Sequence, residues 1–179
     1  HHFMLDRGLV YAHRDLDWIL REYKKGNKFV IYTGRGPSGD VHLGHLVPWM
    51  FTRWWQEKFD TRLYFQLTND EKYWLKQDLT IEDVHKYTYD NALDIIAMGF
   101  EPEHTYLIDD IKHIDLLYEL AVRVAKRITF STARAVYGFE NSMNIGFIFY
   151  PSIQAVPAFL HSWIYGEKTP CIIPCAIDQ

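Results

Sequence analysis

Two histidines and an arginine lie close together around residue 40, in a setting where such side chains bind anions. His42-Leu43-Gly44-His45 follows a turn-rich segment, Gly34-Arg35-Gly36-Pro37-Ser38-Gly39-Asp40. Imidazoles that flank a glycine can donate to phosphate oxygens, and the glycine leaves room for a flat base to lie on the backbone. Two better-known phosphate loops fit less well. A P-loop ends its glycine run in Gly-Lys-Ser/Thr, whereas Gly39 is followed by Asp40-Val41. Gly34-x-Gly36-x-x-Gly39 matches the dinucleotide fingerprint only as a string. In that motif the helix opens within the glycines and an acidic residue at the end of the second strand holds a ribose. Here Pro37 and the segment to Gly44 intervene, Asp60 precedes the second strand and Asp70 comes late. The plain alternative is two surface histidines in a loop, and the flanking elements count against it.

Those elements are a strand and a helix. Phe29 to Thr33 is an unbroken apolar run, the habit of a parallel strand buried on both faces. After the glycines, Leu46, Met50 and Trp54 fall four apart, as do Val47, Phe51, Trp55 and Phe59, which predicts a helix over 46–59 with Pro48 in its first turn. The loop between them then faces the carboxyl end of a strand and the amino end of a helix, where phosphates bind. In that position His42 to His45 resembles the His-x-Gly-His signature of class I aminoacyl-tRNA synthetases.

Arg62 to Thr68 reads as a second parallel strand, completing a βαβ unit. Gln66 is its oddity, since a buried amide without partners costs about 1–3 kcal/mol. It is either satisfied by backbone groups or turned to a ligand at the strand end. Asn69 to Tyr73 reads as a charged loop at the same end of the sheet.

The remaining elements follow from periodicity and punctuation. Leu16, Ile19, Leu20 and Tyr23 make a short amphipathic helix ending near Gly26-Asn27. Thr80 to Gly99 predicts a helix with Thr80 and Asp83 as an approximate capping box, Gly99 at its end, and Val84, Tyr87, Asn91, Ala92, Ile95 and Ile96 inward. Thr105 to Ile108 reads as a third strand. Ile114 to Ile128 reads as a helix with Leu117, Leu120, Ala121 and Val124 inward. Ile145 to Tyr150 fits strand or helix, Gln154 again places an amide in apolar company, and Cys171 to Ala176 reads as a last strand. The fold class is α/β, a Rossmann-like parallel sheet flanked by helices.

Composition sets bounds on function. The 179 residues suggest one domain with a sizeable core, and six Trp and twelve Tyr supply packing area. A net charge of −4 gives no global basic surface for nucleic acid. Cys171 and Cys175 alone do not make a metal site and fit a reducing compartment. No apolar run approaches membrane-spanning length.

Taken together, these stretches resemble the tryptophanyl-tRNA synthetases of eukaryotic and archaeal type. The resemblance is carried by Tyr32-Thr33-Gly34-Arg35-Gly36-Pro37-Ser38, His42 to His45, and Gln66-Leu67-Thr68-Asn69-Asp70-Glu71-Lys72-Tyr73. It continues in Ile153-Gln154-Ala155 and Ile173-Pro174-Cys175-Ala176-Ile177-Asp178-Gln179, and, near the start, in His1-His2-Phe3 and Ala12-His13-Arg14-Asp15. It spans nearly the whole sequence.

The resemblance implies a cytoplasmic, homodimeric ligase that activates L-tryptophan with ATP and Mg2+ and transfers it to tRNA(Trp). It implies that His42 and His45 stabilise the triphosphate, that Arg35 contacts the α-phosphate, and that Gly34 and Gly44 line the nucleotide site with Asp178 near the ribose. Tyr32 and Gln66 would take the indole N–H, and Glu71, Gln154 and Gln179 the α-amino group. Residues 1–27 would form an extension packed on a partial catalytic domain, 28–179. A mainly helical connective insertion, about 75–165, would carry the dimer interface. In the family a second signature loop similar to Lys-Met-Ser-x-Ser and the anticodon-reading domain come later than Gln179. The sequence thus reads as a catalytic-domain fragment, weakly active alone, with tRNA held mostly elsewhere. A tyrosine-specific relative and a non-catalytic binding fragment are the competing readings.

Overall fold

The structure, a computed structural model, describes residues 2–176. A four-stranded parallel sheet forms its centre, in the order β3-β2-β1-β4. The strands are β1 (Val30–Arg35), β2 (Leu63–Leu67), β3 (Thr105–Asp109) and the short β4 (Cys171–Ile172). Residues 173–176, expected to continue the last strand, have no strand partner, because β1 pairs only with Cys171 and Ile172 on that side.

The chain enters through a single turn of helix, α1 (Phe3–Asp6), and the amphipathic α2 (Leu16–Lys24). Met4 and Ile19 from these two join the core beneath α3 (Leu43–Phe59), which follows β1. After β2 come α4 (Asn69–Leu75) and α5 (Ile81–Ala97). After β3 come α6 (Ile114–Ala125), α7 (Phe130–Tyr137), α8 (Ile145–Gln154) and α9 (Pro157–Tyr165), which leads into β4. The stretch 75–165 is thus mainly helical, but β3 within it is an integral strand of the sheet.

Helices cover both faces of the sheet, as two separate cores require. On one face Ile31, Leu63, Phe65 and Leu67 pack against Trp49, Phe51 and Trp55 of α3 and Ile95 of α5. On the other, Val30, Tyr64 and Ile108 pack against Leu117 and Leu120 of α6, Ile153 of α8 and Leu160 of α9. Successive side chains of a strand point to opposite faces, and the register sets Tyr32 beside Tyr64, Gly34 beside Gln66, and Gln66 beside Ile108. Tyr32 and Gln66 therefore face α8, whereas Thr33 and Arg35 face α3 and α5.

Three local expectations need correction. The helix after the glycine loop starts at Leu43, not Leu46, so Pro48 lies in its second turn. The earlier start is possible because the histidines cap it, as described below. The charged run 69–73 is not a loop but the first turns of α4, anchored by Asn69, whose Nδ2 donates to Asp109 Oδ1 at 2.7 Å. In α5 the capping box of Thr80 and Asp83 is present and Gly99 adopts φ +74 beyond the helix end. Ile96 of that helix, however, is 63% exposed rather than inward, because the buried stripe runs through Val84, Thr88, Asn91 and Ile95. Residues 145–150 are helical, begun by Asn144, whose Oδ1 accepts from Phe147 N at 2.8 Å.

Candidate active site

The paired histidines organise the amino end of α3. His42 is the N-cap, and its Nδ1 accepts from Gly44 N at 3.2 Å. His45, three residues on, accepts from His42 N through its own Nδ1 at 3.2 Å. This is the reciprocal logic of a capping box, made here by two imidazoles whose ring centres lie 3.7 Å apart. A ring whose Nδ1 accepts carries its proton on Nε2 when neutral. Each histidine thus keeps an Nε2–H donor on the edge away from the cap. Burial, helped by the nearby Arg35 and His42, pushes the His45 pKa down to about 4, so His45 is neutral at pH 7. A side chain on Gly44 would stand 3.0 Å from the His42 ring, which gives that glycine a packing reason as well as an open surface.

Arg35 closes the same side. Its Nε donates to Asn91 Oδ1 of α5 at 3.1 Å, and Asn91 Nδ2 donates in turn to the Gly39 carbonyl at 3.0 Å. One buried amide therefore fixes both the arginine and the glycine loop. Lys72 of α4 crosses the loop from the other direction. A Cβ at Gly36 would fall 2.0 Å from Lys72 Cε, so a side chain there would make the ammonium arm move aside. The arginine, the lysine and two imidazole donors thus gather near the carboxyl end of β1 and the amino end of α3.

The other face carries a neutral and acidic set. The Tyr32 hydroxyl lies 2.7 Å from Gln66 Oε1 and 2.8 Å from the Gln154 carbonyl. Gln66 Nε2 reaches both oxygens of Asp110, at 3.0 and 2.9 Å. Glu71 accepts from Thr68 Oγ1 at 2.8 Å and from Lys72 Nζ at 2.9 Å. Gln154 Oε1 accepts from the Tyr137 hydroxyl. Burial, with the charges of Asp110 and Glu71, raises the Tyr32 pKa and keeps the phenol a donor. Burial raises Asp70 to about 6 and, together with the charge of Asp70, holds Asp110 well above the usual carboxylate range.

Of the predicted residues, Tyr32, Gln66 and Gln154 are directly connected, and the charge of Glu71 is near enough to help raise the Tyr32 and Tyr137 pKa values. His42, His45, Gly44 and Arg35 form the second group, and Gly34 lies between the two. Gly34 has no side chain to separate them, and a Cβ there would fall 3.2 Å from the Gln66 carbonyl on the neighbouring strand. Gln66 is completely buried, not a side chain on an open wall, since Asp110 and Tyr32 already pair with it. Asp178 and Gln179 lie outside the described residues. Sequence reasoning gave no role to Asp110, Asn91, Lys72 or Tyr137. Asn91 was visible as a polar residue on an apolar helical face. Asp110 follows Ile108 at the strand's two-residue period, which places it on the Gln66 face.

A cleft of about 830 Å³ lies at the opposite end of the sheet, between Asn27, Phe29, Asp60, His104 and Tyr165. It contains none of these groups. Among the described residues no three His, Cys, Asp or Glu side chains converge to hold a metal ion, and no helix is long and apolar enough to cross a membrane.

A parallel sheet with cationic and imidazole donors at the carboxyl end of its first strand, and buried polar side chains beside them, defines an α/β domain of the class I synthetase type. Residues 24–160 match the family model described as tRNA synthetases class I (W and Y), and the chain belongs to that family. It is 50% identical over 178 residues to the tryptophan--tRNA ligase of Pyrobaculum calidifontis, an alignment covering 99% of this chain and 48% of that protein. To the tryptophan--tRNA ligase of Sulfolobus acidocaldarius it is 46% identical, covering 99% and 45%. The crystal structure of Plasmodium falciparum tryptophanyl-tRNA synthetase superimposes with a TM-score of 0.95 at 40% identity, covering 100% of this chain and 52% of that one. The chain spans about half the length of the relatives it matches.

Proposed function

We propose that the protein containing this chain activates L-tryptophan with ATP and transfers it to tRNA(Trp). The observation that carries this reading is the two-sided site. A buried Tyr32–Gln66 pair suits a flat ring with one donor, and a cluster of anion-binding groups lies one glycine away. In the first step the tryptophan carboxylate oxygen attacks the α-phosphorus, the bond to the β-phosphate bridge breaks, and pyrophosphate leaves. In the second, a hydroxyl of the terminal adenosine of the tRNA attacks the acyl carbon and AMP leaves. No covalent enzyme intermediate is required, so catalysis rests on placement and charge stabilisation.

In this reading His42 and His45 donate through Nε2 to the triphosphate, Arg35 meets the α-phosphate, and Gly34 and Gly44 give the nucleotide room. Lys72 adds a further cation beside the loop. Glu71 and Gln154 receive the α-ammonium group, and Tyr32 and Gln66 the indole N–H. Asp178 and Gln179 are proposed for the ribose and the amino group from the resemblance alone. Mg2+ enters with the triphosphate, which suits an ion that keeps several waters and binds through phosphates. A homodimer through the insertion is consistent with exposed Tyr118 and Val122 on α6 and Phe130 and Val136 on α7. The cytoplasm is the proposed location.

Tryptophan-dependent exchange of pyrophosphate into ATP by the full-length protein tests the assignment. Exchange with tryptophan, and strong rejection of tyrosine and phenylalanine, is expected. A site whose buried polar groups stay unpaired beside the wrong ring can reject it by about 10⁴–10⁵. Preferred activation of tyrosine would overturn it.

A further inference from the structure

Gln66 can recognise a ring N–H only if its carbonyl oxygen, and not its NH2 group, is turned to the ligand. Tyr32 cannot enforce that choice. Its hydroxyl lies within hydrogen-bond distance of both Gln66 Oε1 and the Gln154 carbonyl. If the Gln66 amide turned over, Tyr32 would accept from the NH2 group and give its own proton to Gln154, and nothing would be lost at that end. The Ile153 carbonyl, 3.4 Å from Nε2, is a distant second acceptor.

The other end of the amide is different. Both oxygens of Asp110 lie within 3.0 Å of Gln66 Nε2. Asp110 is 1% exposed, and burial together with the charge of Asp70 holds its pKa well above the usual carboxylate range. A carboxyl proton occupies only one of its two oxygens, and the other still accepts from Nε2. With Asp110 ionised, an amide turned over would set its carbonyl oxygen against a buried carboxylate, two acceptors with no hydrogen between them, and such unpaired buried groups are costly.

We propose that Asp110 is a positioning residue for ring recognition. Its carboxylate holds the Gln66 amide with Oε1 facing Tyr32 and the incoming ring N–H, and so makes the recess select a donor over an acceptor. The inference rests on the tryptophan reading above and names the side chain that sets its specificity. An sp2 oxygen has two lone pairs. One is used by Tyr32 and the second is left for the ligand.

The experiment uses the full-length protein, tryptophan, and benzothienylalanine, in which sulfur replaces the indole N–H. Asp110→Asn offers Gln66 both a donor and an acceptor and therefore frees the amide. The expected result is that the preference for tryptophan over benzothienylalanine, as a ratio of kcat/KM in pyrophosphate exchange, falls about tenfold or more. The fall comes through KM for tryptophan, and KM for ATP is unchanged. In a Gln66→Met background the same substitution produces no further fall, because Asp110 acts through Gln66. Asp110→Ser is the second variant if the Asn form does not fold. An unchanged preference in a folded variant overturns the proposal, as does an equal further fall in the Gln66→Met background. Failure of both variants to fold places Asp110 in the scaffold alone and overturns it too. A wild-type protein that does not activate tryptophan overturns the functional reading itself, and this inference with it.

Discussion

At the residue scale, one imidazole has two duties that can be separated. His45 Nδ1 accepts from His42 N and helps start α3, whereas its Nε2–H is the atom proposed to meet the triphosphate. His45→Ala removes both. A donor to charge that develops in the transition state is worth roughly 2.7–4 kcal/mol, so kcat for adenylate formation should fall about 10²–10³-fold with little change in KM for tryptophan. His45→Glu separates the duties. Glutamate is a usual partner at this position of a capping box, can reach back to the N-cap amide, and when ionised has no hydrogen to donate. It should recover most of the thermal stability lost in the alanine variant and little of the kcat. Thermal melting and pyrophosphate exchange on the two variants check this. If kcat recovers along with stability, the histidines are a cap and nothing more.

At the scale of elements, α8 is held against α4 by a contact that tolerates no extra atom. Asn144 Nδ2 donates to the Trp74 carbonyl at 2.8 Å, and a Cβ on Gly146 would fall 2.4 Å from Trp74 Nε1. Gly146→Ala should therefore push α8 from α4. It should lower stability by about 1–3 kcal/mol, as overpacking does, despite the better helix propensity of alanine. Because α8 carries Gln154 and α4 carries Glu71, KM for tryptophan should rise as well. Urea unfolding and exchange kinetics measure the two effects, and a more stable variant would refute the packing argument. The same pair of helices shows where sequence reasoning stops. The parallel strands and α5 were legible because their periodicity and caps are local. The start of α3 was not, since imidazoles are unusual caps, and α4 was not, since its hold on the sheet is a long-range bond from Asn69 to Asp109. For the candidate site, the placement of Tyr32 and Gln66 near strand ends was legible from the strand pattern, and Glu71 stood in a charged run. Asp110 was not, because its partner on β2 lies 44 positions away. Ile96 was misassigned because an apolar residue one position off the stripe looks the same in sequence.

At the scale of the whole molecule, the site straddles the sheet, with neutral imidazole on one face and buried acid on the other, and the two respond to pH in opposite senses. The Asp70 pKa of about 6 stands above its ordinary 3.8, mainly through burial. Between those values the folded chain keeps a proton that the unfolded chain has released. Stability from this group is fully present below about pH 4 and is lost as pH rises through about 6. Asp110 is displaced in the same direction. His45, with a pKa of about 4 against an ordinary 6.5, does the reverse. Its contribution is present above about pH 6.5 and is lost as pH falls through about 4. In the wild-type protein the two slopes oppose each other across this window, so its stability should vary only weakly with pH there. Asp70→Asn unmasks the histidine. The amide is neutral at every pH, keeps an acceptor for the Glu71 N–H that Asp70 Oδ1 now binds at 2.7 Å, and brings a permanent donor for Asp110 in place of the shared proton. The urea midpoint of the variant, read against wild type, should therefore rise steadily from about pH 4 to about pH 7, with the variant the more stable at the upper end. A difference between the two proteins that is flat across that range would show that the buried acids do not hold a proton in the folded state.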